Sequence, residues 1–82
     1  MNNLRDNLYI KEFGKNLKKL RIDKKLSQEE LANSSEVSLP QITRIKRGTV
    51  NTTLCTIKSL AEGLEIDIRI MFEFNDFDKR NQ

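Results

Sequence analysis

From Tyr9 onward the apolar positions recur at helical spacing. Ile10, Phe13, Leu17 and Leu20 fall on one face, with Lys11, Lys15, Lys18 and Lys19 largely off it. This predicts a first helix that ends near residues 24–26. Gly14 inside it costs about 1 kcal/mol relative to Ala, and a close helix crossing would account for that. Ser27 and Glu30 then form a capping box that opens a short helix over about 27–34, with Leu31 and Ala32 inward. The pattern breaks at Ser35-Glu36-Val37-Ser38. Ser38 and Gln41 make a second box, and Pro40 sits in the first turn, where its missing N–H does no harm. A residue before proline avoids the α region, so Leu39 competes with Ser38 as the cap. That helix runs to Arg47, buries Ile42 and Ile45, and ends at a left-handed Gly48. After a loop at 49–52, Thr53 caps a helix with Leu54, Ile57, Leu60, Ala61 and Leu64 on one face.

The last patterned segment alternates through Ile66, Ile68, Ile70, Phe72 and Phe74. Alternation suits a strand, while Asp67 suits the cap of a short fifth helix, and both readings stand. Residues 1–8 read as a polar, Asn-rich arm and residues 75–82 as a polar tail, which leaves one domain over 9–74.

Composition narrows the chemistry. At 82 residues the chain supports a single domain whose core is near the size limit, so an oligomer or a bound partner is expected. It has no His and one Cys, which removes His-based acid–base catalysis, Cys–His nucleophiles and nearly all zinc chemistry. No enzyme activity, metal or cofactor is expected. Cys55 cannot form an internal disulfide, which suits a reducing cytoplasm, and it is expected to pack as a small hydrophobe. No apolar run reaches transmembrane length and the first residues lack a signal-peptide core, so the expected location is cytoplasmic, without membrane partners. Residues 1–50 carry eleven basic and six acidic side chains, whereas residues 51–82 carry four and six. The net charge of +3 therefore divides into a basic part suited to a polyanion and a mildly acidic remainder.

Two short helices joined by a tight turn and wrapped by longer ones form a helix-turn-helix unit. The segments Ser27-Gln28-Glu29-Glu30-Leu31-Ala32, Val37-Ser38, Ile42-Thr43-Arg44-Ile45 and Arg47-Gly48 stand in one register. Asn51-Thr52-Thr53-Leu54, Leu60-Ala61-Glu62-Gly63-Leu64 and Ile66-Asp67 through Met71-Phe72 continue it. In this register the chain strongly resembles the phage-repressor (Cro, or XRE) type of helix-turn-helix protein over residues 9–74.

The resemblance implies an all-α, five-helix bundle that binds double-stranded DNA as a homodimer on two-fold related half-sites. Its recognition helix, about 38–47, would lie in the major groove. Ser38, Leu39, Gln41, Thr43 and Arg44 are then the residues placed to reach bases. Gln41 suits adenine, Arg44 suits guanine, and Leu39 or Thr43 suits a thymine methyl. For Arg44 a phosphate contact or a solvated position is the alternative. Ser27 and Gln28 at one helix start, Asn51, Thr52 and Thr53 at another, and Lys46 and Arg47 beyond the recognition helix are the phosphate candidates. Relatives often pair through their last two helices, which makes Ile66, Ile68, Ile70, Met71, Phe72 and Phe74 the candidate dimer interface. A strand there would pair across the two-fold as a β-ribbon.

Three positions depart from the family pattern. Glu36 stands where Gly is usual, so it either adopts a left-handed conformation or reshapes the turn. Lys46 stands where Glu commonly pairs with the cation at Arg21, which leaves Arg21 for Glu30 or phosphate and frees Lys46 for DNA. Leu39 and Pro40 replace polar base readers, which shifts weight toward apolar contacts or DNA shape. The reading is a sequence-specific transcription regulator, stand-alone, controller-like or antitoxin-type. The alternative is a protein-interaction module on the same scaffold that holds a toxin or another regulator.

Overall fold

The computed structural model describes residues 6–74. The expected arm and tail therefore fall almost wholly outside the described residues. Four α-helices follow one another: α1 (Asn7–Asp23), α2 (Gln28–Ser35), α3 (Leu39–Arg47) and α4 (Leu54–Leu64). A five-residue 3-10 helix, Ile68–Phe72, is the last element among the described residues. The expectation of five helices is thus corrected to four α-helices and one tighter turn. The described residues contain no strand, so the β-ribbon alternative falls as well.

Local chemistry explains the boundaries. The helix α1 starts two residues earlier than its apolar pattern because Asp6 Oδ1 accepts from the Tyr9 N–H at 3.0 Å. At its other end Lys25 turns left-handed, φ 60°, and the Leu26 N–H reaches back to the Arg21 carbonyl. The box that opens α2 is complete, with Glu30 N–H to Ser27 Oγ at 3.0 Å and Ser27 N–H to Glu30 Oε1 at 2.7 Å. Ser38, not Leu39, caps α3, since its Oγ accepts from the Gln41 N–H. The second box is only half made, because the Gln41 amide turns elsewhere. Glu36 takes the left-handed conformation itself, φ 60°, so the turn keeps its shape with a charged residue in the strained position. Thr53 caps α4.

The helices pack in two crossed pairs, α1 on α3 and α2 on α4, with the 3-10 helix bridging α1 and α4. Leu17, Leu31, Ile42, Ile45, Leu60, Leu64 and Met71 are the most deeply buried side chains. Burying each is worth roughly 1.5–3 kcal/mol relative to exposure. Two glycines set the crossings. A side chain on Gly14 would collide with the Ile45 and Lys46 carbonyls of α3, and one on Gly63 would strike the backbone of Ser35 at the end of α2. The same contact is sealed by the Ser34 hydroxyl, which donates to the Gly63 carbonyl at 3.1 Å.

The closing turn is tied down by a buried side chain. Asn16 on α1 donates from Nδ2 to the carbonyls of Ile70 at 3.1 Å and Met71 at 2.9 Å. Phe72 and Phe74 stack on Phe13, with ring centres 5.5 and 6.3 Å away, and Phe74 also meets Tyr9 at 4.9 Å.

Three expectations about burial are corrected. Leu54 is 72% exposed, because it is the first residue of α4 and the buried side of that helix begins only at Ile57. Cys55 is exposed beside it rather than packed. Met71, expected in a dimer interface, is 1% exposed and belongs to the monomer's own core. No helix among the described residues is long and apolar enough to cross a membrane.

Candidate nucleic-acid interface

The inner face of α3 is fixed by Ile42 and Ile45, each 1% exposed. Gly14 lets α1 press against its backbone at Ile45 and Lys46. What remains outward is Leu39, Pro40, Arg44 and Arg47, all exposed, with Gln41, Thr43 and Lys46 half-buried. The helix holds three cations and no acid.

The expected base readers are brought onto this surface, but their polar atoms are not equally free. Ser38 Oγ serves as the cap. The Thr43 hydroxyl lies 3.0 Å from the Leu39 carbonyl and 3.3 Å from Gln28 Oε1, so it turns back onto its own helix and onto the start of α2. The Gln41 Nε2 donates to Thr56 Oγ1 on α4 at 3.4 Å. Thr56 in turn meets the cap residue Thr53 at 2.9 Å. No local signal in the sequence marks Thr56, which stands fifteen residues from Gln41. Arg44 is the exception, an exposed side chain with no partner among the described residues.

Two helix starts flank α3. Ser27 and Gln28 open α2, and Gln28 braces Thr43. Asn51, Thr52 and Thr53 precede α4. A helix start of this kind presents free N–H groups and a partial positive charge to an anion. Asn51 and Thr53 are exposed, whereas the Thr52 hydroxyl is buried and has no partner among the described residues. Arg21 does not pair with Glu30: its Nη1 donates to the Leu26 carbonyl at 2.7 Å, while Glu30 is held by the α2 cap. Lys46 has no ion pair among the described residues.

The other expected surface lies on the closing turn, which packs on α1 and α4. With Met71 in the core, Ile66, Ile68, Ile70 and Phe74 are half-buried and Phe72 is 38% exposed. Asp67 and Arg69 form a bidentate pair there, at 3.0 and 2.9 Å. This pair holds the Asp67 carboxyl down to about 2.

The sequence profile of a helix-turn-helix family matches residues 17–71. The uncharacterized HTH-type transcriptional regulator YqaF of Bacillus subtilis is 36% identical over 57 residues, 70% of this chain and 75% of that one. Among solved structures, the restriction-modification controller protein C.AhdI from Aeromonas hydrophila is 38% identical. It superposes with a TM-score of 0.75 over 77% of this chain and 96% of its own. The controller protein C.Esp1396I, solved as a tetramer in complex with its natural 35 base-pair operator, is 29% identical, with a TM-score of 0.75. That match covers 84% of this chain and 90% of the controller.

Proposed function

Because this chain belongs to the helix-turn-helix family of transcription regulators of the XRE type, we propose that it binds double-stranded operator DNA in a sequence-specific way. It acts as a homodimer and inserts α3 into the major groove. The observation that carries this reading is the split character of α3. Its Ile42 and Ile45 are locked into the core, while the outward surface carries exposed Arg44 and Arg47 and no acidic group. A rigidly seated, cationic helix standing at the edge of a small domain fits the width of the major groove. The starts of α2 and α4 on either side supply phosphate contacts through Gln28, Asn51 and Thr53. The operator complex of C.Esp1396I supports the same use of the fold.

The dimer forms through the closing turn, where Ile66, Ile68, Ile70, Phe72 and Phe74 remain partly open to solvent. One domain covers half a site, and pairing supplies the second half.

The test is a binding titration against the DNA upstream of the protein's own reading frame and against random DNA, at rising salt. Specific binding that weakens steeply with salt is expected. Arg44→Ala should relax sequence preference. Lys46→Ala should weaken binding to all sequences alike and lower the salt slope by about one. Equal affinity for upstream and random DNA at physiological salt overturns the proposal.

A further inference from the structure

We infer that the recognition helix reads the C5-methyl group of thymine through Leu39, with Arg44 as its one fully free hydrogen-bonding reader. The inference rests on the DNA-binding reading above and specifies what that surface recognises. Of the outward polar side chains on or capping α3, three are already engaged inside the fold. Ser38 is tied to the Gln41 N–H, Thr43 to Leu39 and Gln28, and Gln41 to Thr56. Adenine recognition by Gln needs both its Nε2 and its Oε1 in the plane of the base. With Nε2 held toward α4, Gln41 positions the α4 start instead of reading a base. Arg44 keeps all its donors, which suit the O6 and N7 of guanine.

Leu39 fills what is left. It is the first residue of α3, the end that enters the groove most deeply, and 36% of it is exposed. Its neighbours Pro40 and the Thr43 side chain, whose hydroxyl faces back to the helix, offer no competing free donor at that end. An exposed leucine there, beside Glu29, Asn33 and Glu36, gains nothing from water. In the major groove the apolar group that meets it is the thymine methyl. Leu39 is therefore a specificity-determining residue and Gln41 a positioning residue.

The experiment uses the full chain and duplexes that it enriches from a random library. Each duplex is made once with thymidine and once with deoxyuridine, which removes the methyl and leaves every groove donor and acceptor in place. The wild-type protein should bind the deoxyuridine duplex about fourfold more weakly for each methyl contacted, as expected for one methyl-sized group left in water. Leu39→Ala should bind the two duplexes equally. Lys46→Ala should weaken both and keep their ratio. A wild-type protein indifferent to the methyl, or a Leu39→Ala variant that keeps the ratio, overturns the inference. Failure to enrich any duplex overturns the DNA-binding reading beneath it, so the two failures are distinct.

Discussion

The carbonyl of Ile45 occupies the space in which a side chain on Gly14 would begin. Helix α1 thus touches the recognition helix backbone to backbone, at a position in the middle of its own apolar stripe. Replacing an exposed helical glycine by alanine ordinarily gains about 1 kcal/mol. Here Gly14→Ala must part α1 from α3 and should instead destabilise the protein by about 1–3 kcal/mol, the usual range for overpacking. The midpoint of urea unfolding reports the sign, and an unchanged slope would show that the fold is otherwise retained.

Glu36 presents the converse case. Its left-handed backbone costs a side-chain-bearing residue about 1–2 kcal/mol that glycine does not incur. Part of that gain is lost to the greater freedom of glycine in the unfolded chain. Glu36→Gly should raise stability by about 0.5–1 kcal/mol in thermal unfolding. DNA affinity should stay close to the starting value, since the turn already has the shape glycine would give it.

Among the described residues, Asn16 is the buried amide that holds the closing turn. Asn16→Leu removes two hydrogen bonds and leaves the Met71 carbonyl without its donor, while the Ile70 carbonyl keeps the Glu73 N–H, a loss of about 1–3 kcal/mol. Amide hydrogen exchange over residues 68–73 should accelerate more than exchange in α2 or α3. Uniform acceleration across all helices would show that the tether is not local.

Much of this was legible in the sequence because much of it is local. The Ser27–Glu30 box, the Ser38 and Thr53 caps and the Gly48 terminator each involve groups within a few residues of one another. Asp6 is equally local, a capping residue three positions before Tyr9, but it lies ahead of the periodic apolar stripe that begins at Ile10. What the sequence withheld depends on where helices meet. Periodicity puts Leu54 on the same face as Ile57 and Leu60, yet the core reaches α4 only from Ile57 onward. The alternation at 66–74 fits a strand equally well until the Asn16 side chain and the phenylalanine stack bend it into a turn. The partners of Arg21 and Gln41, namely the Leu26 carbonyl and Thr56, follow from three-dimensional proximity alone.

The Asp67 carboxyl gives the closing turn a pH signature. The hydrogen bond from the Arg69 side chain, then that from its backbone N–H, lowers its pKa from 3.8 to about 2. A carboxyl depressed in the folded state contributes stability that is fully present above its unfolded value and is lost as pH falls through the folded one. The cap should therefore hold at neutral pH and weaken between 3.8 and about 2. A carboxyl-detected NMR titration should place the Asp67 midpoint near the lower figure, and Arg69→Gln should move it up toward the ordinary value. A midpoint unmoved by that substitution would sink the assignment.

The left-handed corners at Lys25, Glu36 and Glu65 all carry charged side chains, while Gly14 and Gly63 are committed to helix contacts. The scaffold is thus built for close approach at the expense of relaxed corners, and its stability as an isolated chain lies below what the same fold could reach. In such a molecule any ligand that binds only the folded form also acts as its stabiliser, by an amount that grows with ligand concentration. An occupied site would then lengthen the life of the protein that occupies it, and unbound copies would be the first to unfold and be cleared.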